Sequence, residues 1–250
     1  MRSELGSGPR LLVVADVQTG YHHDSLSRAL ATLEHMGRGR WTTVLRTDSQ
    51  LITQQPILGP PGKYEGRPVN APRLSSFDAV FLLPSGSGTL SPAQKEALMA
   101  FVHEEGKGII VGHAATVGFY DWPAWGALVG ARLGGELDGP ADVIVEDPGF
   151  PGADAFGQPR FTFSEQHPIL KAVEPPQDIH VVMRLDPESL PPGHRARRDD
   201  DLFPVAWTRR PGRGRLYSVA WGHHPATWDD LRFQQMVAGG IQWAMGERPG

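Results

Sequence analysis

Short β-branched apolar runs separated by stretches of helical periodicity constrain this chain most strongly. Leu11-Leu-Val-Val-Ala15 has no polar position, the pattern of a strand buried on both faces. Trp41 to Leu45, Phe77 to Leu83 and Gly108 to Val111 read as further strands. Between the first two, Asp24 or Ser25 can cap a helix that carries Leu26, Leu30, Leu33 and Met36 on one stripe. Ser91-Pro92-Ala93-Gln94 is a helix start with a capping box, and Gly106 is placed to end that helix. Strand and helix in alternation imply parallel pairing through right-handed crossovers. The expected class is α/β, a doubly wound and mostly parallel sheet flanked by helices. A less regular, partly antiparallel region is expected around 134–200, with strand-like segments at Ala141 to Val145 and Asp178 to Leu185. Val205 to Trp207 and Leu216 to Ala220 read as strands joined by a turn at Pro211 and Gly212, before a final helix over about Asp229 to Met245.

The chain has 250 residues, with 24 Lys and Arg against 28 Asp and Glu. That size and balance suit one domain over 1–250, with a Pro/Gly-rich surface excursion at about 47–76. The net charge of −4 argues against nucleic acid as partner, which would need a clustered basic surface. No window reaches the apolar length of a membrane span, so we expect a cytoplasmic protein without a membrane partner. Segment 53–75 is a candidate surface for homo-oligomer contacts. The chain has no cysteine, which removes disulfides, thiolate metal ligands and any cysteine nucleophile.

In a parallel sheet, ligands gather beyond the carboxyl ends of the strands. Four loops lie there: Gly20-Tyr21-His22-His23-Asp24-Ser25, Ser85-Gly86-Ser87-Gly88-Thr89, Gly112-His113-Ala114-Ala115-Thr116 and Trp221-Gly222-His223-His224. Three of these loops contain five of the ten histidines. Imidazole ligates zinc and similar ions, and it also moves protons near neutral pH. His23, His113 and His223 are therefore the candidate metal ligands, with His113 and His23 the candidate catalytic residues and a divalent metal such as zinc the candidate cofactor. No paired spacing on one helix supports this, so the site must be assembled from distant loops. His22 and His224 read as structural, His35 and His103 as surface residues within helices, and His167, before Pro168, as the start of a turn from which it could reach the site. Tyr21, Asp121, Trp122 and Trp228 are candidate substrate-binding residues, because aromatic faces beside a carboxylate suit a sugar ring. Packing of Trp122, Trp125 and Trp228 into the fold is the competing reading. The Ser85–Thr89 loop could cradle a phosphate, although it lacks a recognised glycine-rich pattern, and a tight turn is preferred.

These segments, together with Tyr120-Asp121-Trp122-Pro123, His167-Pro168-Ile169, Pro204-Val205-Ala206-Trp207 and Gly222-His223 through Trp243-Ala244, resemble the trehalose-utilisation (ThuA-like) proteins. The resemblance spans nearly the whole chain in order. It implies the fold of class I glutamine amidotransferases, also flavodoxin-like, and a role in carbohydrate (trehalose or keto-sugar) utilisation with a small sugar-like ligand. At the elbow Val111-Gly112-His113-Ala114-Ala115 a histidine stands where the amidotransferase nucleophile would be, so glutaminase chemistry by a thioester is closed to this chain. Two departures stand out. His22 precedes the first-loop histidine where relatives usually carry Arg or a similar residue. The Asp-Glu-x-Tyr element after His-Pro-Ile is replaced by Asp178-Ile179-His180-Val181-Val182, which leaves His180 as its substitute. If the protein is an enzyme, a sugar-derivative hydrolase, lyase or isomerase is expected. The alternatives are a non-catalytic sugar- or partner-binding module, and a flavodoxin-like nucleotide binder using Ser85 to Thr89.

Overall fold

The computed structural model describes residues 8–69, 72–113, 118–172 and 178–246. Their strands form one nine-stranded sheet in the order β2-β1-β3-β4-β9-β8-β7-β5-β6. β1 (Arg10–Val14), β2 (Thr42–Arg46), β3 (Ala79–Leu82), β4 (Gly108–Val111) and β9 (Arg215–Val219) run parallel. β8 (Pro204–Arg209), β7 (His180–Leu185), β5 (Ala131–Val145) and β6 (Arg160–Ala172) continue the sheet by antiparallel pairing.

Alternate residues of the parallel strands feed two cores. Leu11, Val13, Phe81, Ile110 and Val219 pack with Ala29, Leu33 and Met36 of α1 (Leu26–Gly37). On that face the C-terminal helix, residues 231–245, adds Phe233, Met236, Val237 and Ile241. Leu12, Val14, Leu82, Ile109 and Val111 pack on the other face with Leu98, Phe101 and Val102 of the helix Pro92–His103. β1, β3 and β4 are therefore dry on both faces, as their apolar runs require, whereas the edge strand β2 is only half-buried and leaves Leu45 exposed. The helix Pro92–His103 begins with the expected capping box: Gln94 N–H donates to Ser91 Oγ and the Gln94 side chain accepts from Ser91 N–H.

The parallel half and the antiparallel pairing around 134–200 are both as expected, but the antiparallel part is larger and more regular than expected. Half of its strand pairings are antiparallel, and the region read as irregular is a regular extension of the same sheet, with a 15-residue β5 and a 13-residue β6. Gly134, Gly135, Gly139 and Pro140 interrupt the alternation along β5 and hide it from pattern reading. His167-Pro168 lies inside β6 instead of opening a turn. β6 is the edge strand, and an edge tolerates a residue that cannot donate to the ladder.

The 47–76 excursion is anchored at both ends by buried Leu51, Ile52 and Leu74, while Leu58, Tyr64 and Val69 stand exposed. No described helix is long and apolar enough to cross a membrane.

Candidate functional site

β1, β4 and β9 end on the same rim of the sheet because they are parallel, and the loops that follow them carry His23, His113 and His223. Their imidazoles converge. Ring centroids lie 5.0 Å apart for His23–His113, 5.0 Å for His23–His223 and 5.2 Å for His113–His223. One nitrogen from each ring lies within 4.8 Å of the others. His113 is buried and the other two are half-buried.

The backbone orients this cluster. His113 Nδ1 meets the carbonyl oxygen of Ala220 at 2.7 Å; a carbonyl only accepts, so Nδ1 carries the proton. His113 Nε2 therefore presents its lone pair, and His223 Nδ1 donates to it at 3.2 Å. Burial is the largest cause that pushes His113 down from 6.5 to about 3, with His23 and His223 adding to the effect against the Ala220 bond. Burial, then His223, pushes His23 down to about 4. Both rings are neutral at pH 7, the form that ligates a metal. At the elbow before His113 a Cβ on Gly112 would lie 2.5 Å from Leu83 Cδ2 and 2.8 Å from Phe81 Cε1, so a larger residue there would have to displace both side chains. Ala114, Ala115 and Thr116 lie outside the described residues.

The loop after β9 is held from several sides. Ser25 Oγ donates to the Gly222 carbonyl at 2.7 Å, and Trp228 Nε1 donates to it at 3.0 Å. Ser25 occupies the cap position of α1 without a side-chain cap bond, because its hydroxyl is directed at Gly222. Gly222 has φ +121°, and a Cβ there would sit 3.0 Å from Trp228 Nε1. Glu165, fully buried, accepts from the amides of Gly222, His224 and Gln166 and from Thr227 Oγ1.

The other predicted residues separate. Tyr21 is 64% exposed and lies parallel to His223, with centroids 6.3 Å apart. Asp121 is exposed and accepts from Ser87 Oγ, and half-buried Trp122 stacks on buried Trp125 with Lys95 Nζ 5.3 Å from its ring. Trp228 is buried and offers no ring face to a substrate; it lines a cavity of about 10 Å³ with His23 and His113, room for about one water. His22 is exposed, and His224 bonds Asp138 at 2.9 Å. His167 sits in the core, where it accepts from Trp221 Nε1 and donates to the Gly139 carbonyl. His180 pairs with Asp147 on the surface and does not join the cluster. In the Ser85–Thr89 loop, Gly88 N–H is taken by Thr19 Oγ1 and Gly86 bridges to Thr19, which makes the loop a packed turn.

Sequence reading missed Glu165 and Asp16. In Phe161-Thr-Phe-Ser-Glu-Gln-His167 the inward phase of the strand falls on 161, 163, 165 and 167, and a carboxylate in that phase was the available signal. Asp16, two residues beyond β1, is buried and accepts from Ser49 Oγ at 2.6 Å and from Thr89 Oγ1, which ties three loops of the rim together.

A structure from Parabacteroides merdae described as ThuA-like superposes with a TM-score of 0.70 at 13% identity, covering 98% of this chain and 92% of that one. A cytoplasmic protein from Salmonella typhimurium superposes with a TM-score of 0.57 at 13% identity, covering 94% and 98%. A β-galactosidase from Bacillus circulans sp. alkalophilus gives 0.58 at 12% identity; this chain is 99% covered but spans 32% of that enzyme. These likenesses establish the α/β fold. None of the curated proteins matches the sequence. The ThuA family model, described as trehalose utilisation, matches residues 10–244. The chain belongs to the ThuA family.

Proposed function

We propose that the three-histidine cluster is a divalent-metal site, of which zinc is the simplest occupant, acting on a small keto-sugar or related polyol in carbohydrate utilisation. The chain is read as one ThuA-like unit of amidotransferase-like topology that carries no thiol chemistry. The observation that carries this reading is the fit of the cluster to an ion. Two nitrogens held tetrahedrally at zinc-imidazole distance are about 3.3 Å apart. His113 Nε2 and His223 Nδ1 are 3.2 Å apart, and His23 supplies a third nitrogen within 4.8 Å. Three imidazole ligands, with the His223 proton moved from Nδ1 to Nε2 on binding, would leave a coordination position for substrate or water. Locking one imidazole through its other nitrogen to a carbonyl is the usual way a ligand is aimed.

His23, His113 and His223 would hold the ion, which supplies polarisation of a carbonyl or activation of water. His113 is better suited to ligation than to proton transfer, because a group pushed down to about 3 is a weak base at neutral pH. Tyr21, exposed and parallel to His223, offers an apolar face at the mouth for the C–H side of a sugar ring. The test is elemental analysis of the purified chain combined with assay of a keto-sugar panel. Stoichiometric metal and turnover, both lost in His113→Ala, are expected. Metal content indifferent to His23→Ala, His113→Ala and His223→Ala would overturn the proposal.

Tyr21, whose exposed ring lies parallel to His223 at the mouth of the cluster, also supports a second reading, a sugar-binding module without turnover. It predicts saturable keto-sugar binding with no product formed.

A further inference from the structure

β6 is four places from β9 in the sheet, yet its middle meets the loop that follows β9. Three successive inward residues of β6 make that contact. Phe163 stacks on Trp221 at 4.5 Å, His167 Nδ1 accepts from Trp221 Nε1 at 3.0 Å, and Glu165 lies between them. The two oxygens of Glu165 divide their partners in a specific way. Oε2 accepts from the Gly222 amide at 3.3 Å and from Thr227 Oγ1; Oε1 accepts from the His224 amide at 3.3 Å and the Gln166 amide at 2.8 Å. The amides on either side of His223 are thus both bound by one carboxylate that is fully buried.

Resting on the metal-site reading above, we infer that Glu165 is the positioning residue of the histidine cluster, gripping the backbone on both sides of His223 so that its Nδ1 faces His113 Nε2. The carboxylate touches none of the three imidazoles; it acts through the chain that carries one of them. Two features support a role beyond gluing the β5–β6 hairpin to the core. The aromatic contacts of Phe163 and His167 with Trp221 already supply that adhesion. Among the described residues of the hairpin, Glu165 takes the backbone amides of both residues that flank His223, whereas Asp138 meets only the His224 side chain. A fixed backbone on both sides restricts the ring to rotation about its side-chain bonds, and that restriction is what a preformed ligand needs.

Glu165→Gln tests the inference. The amide has one acceptor and one donor end. Its NH₂ is accommodated beside Thr227, whose hydroxyl can turn to accept, and this leaves the Gly222 N–H without an acceptor. Cobalt(II) titration of the metal-free full chain, followed by its visible ligand-field bands, is the readout. A fall in affinity of about 10- to 100-fold with altered bands is expected for Glu165→Gln. Thr227→Val keeps both flanking amide bonds and is expected to leave the bands unchanged. Wild-type affinity and bands in Glu165→Gln would overturn the inference, as would equal loss in both variants.

If the wild-type chain takes no cobalt, the metal reading falls and the positioning claim is judged separately. Ring-nitrogen NMR of the metal-free chain then reports the His223–His113 hydrogen bond, which Glu165→Gln is expected to abolish; its survival overturns the claim. Should Glu165→Gln fail to fold, hydrogen exchange on the wild-type chain decides the matter. Slow exchange at the Gly222 and His224 amides supports it, and exchange at open-loop rates overturns it.

Discussion

His113 donates from Nδ1 to the carbonyl oxygen of Ala220, the residue that follows β9, at 2.7 Å. That bond joins the ends of two neighbouring strands and decides which imidazole nitrogen faces His23 and His223. The cluster is thus aimed by backbone geometry before any ligand arrives.

Removing one ligand is expected to weaken zinc or cobalt binding by more than about 100-fold, beyond the loss that altering a supporting residue produces. His113→Ala, His23→Ala and His223→Ala should all behave this way in competition titration. His35→Ala, an exposed residue of α1, should bind metal as the unaltered chain does. Equal affinity in all four variants would remove the metal site.

Ser25 and Ser91 both precede helices but do different work. Ser91→Ala removes a capping box and is expected to lower stability by about 1 kcal/mol without touching the histidine cluster. Ser25→Ala removes the buried bond to the Gly222 carbonyl, also about 1 kcal/mol, and in addition loosens the loop of His223. Denaturant unfolding should rank them alike, whereas metal affinity should fall only in Ser25→Ala.

Gly222 holds φ +121° beside the Trp228 ring. Gly222→Ala is expected to cost roughly 1–3 kcal/mol through backbone strain, with further loss from the contact with Trp228. A melting temperature unchanged from the parent chain would show that the loop relaxes freely.

His167 is buried in the core, and burial pushes its pKa from 6.5 down to about 4, against hydrogen bonds to the Gly139 and Phe163 carbonyls. The unfolded chain binds this proton below 6.5 while the folded chain resists it down to about 4. Its contribution is therefore present in full above pH 6.5 and lost as pH falls from 6.5 toward 4, on the order of 3 kcal/mol in all. His167→Gln should flatten the slope of unfolding free energy against pH in that window by up to about one proton. An identical slope in the two chains would assign the acid sensitivity elsewhere.

Much of the architecture was legible because its signals are local. The apolar runs at 11–15 and 108–111 have no polar face, so they can only be strands covered on both sides, and Ser91 with Gln94 marks a helix start by chemistry within four residues. Parallel order then placed three histidine loops at one rim. Of β5 only Ala141 to Val145 was read as strand, because glycine and proline break the alternation before it, and β6 escaped because polar Glu165 and His167 occupy its inward phase and its pairing is long-range. The competing tasks of Ser25, cap or tether, were equally silent, since the carbonyl it bonds is 197 residues away.

Residue chemistry along the chain thus determined the kind of fold, the absence of thiol reactions and the rim where histidines could meet. Tertiary structure alone decided which imidazoles converge, which nitrogen of His113 faces inward and that Glu165 holds the His223 loop. Those outcomes depend on hydrogen bonds between segments far apart in sequence, whose directions exist only once the β5–β6 hairpin and the ends of β1, β4 and β9 are packed together.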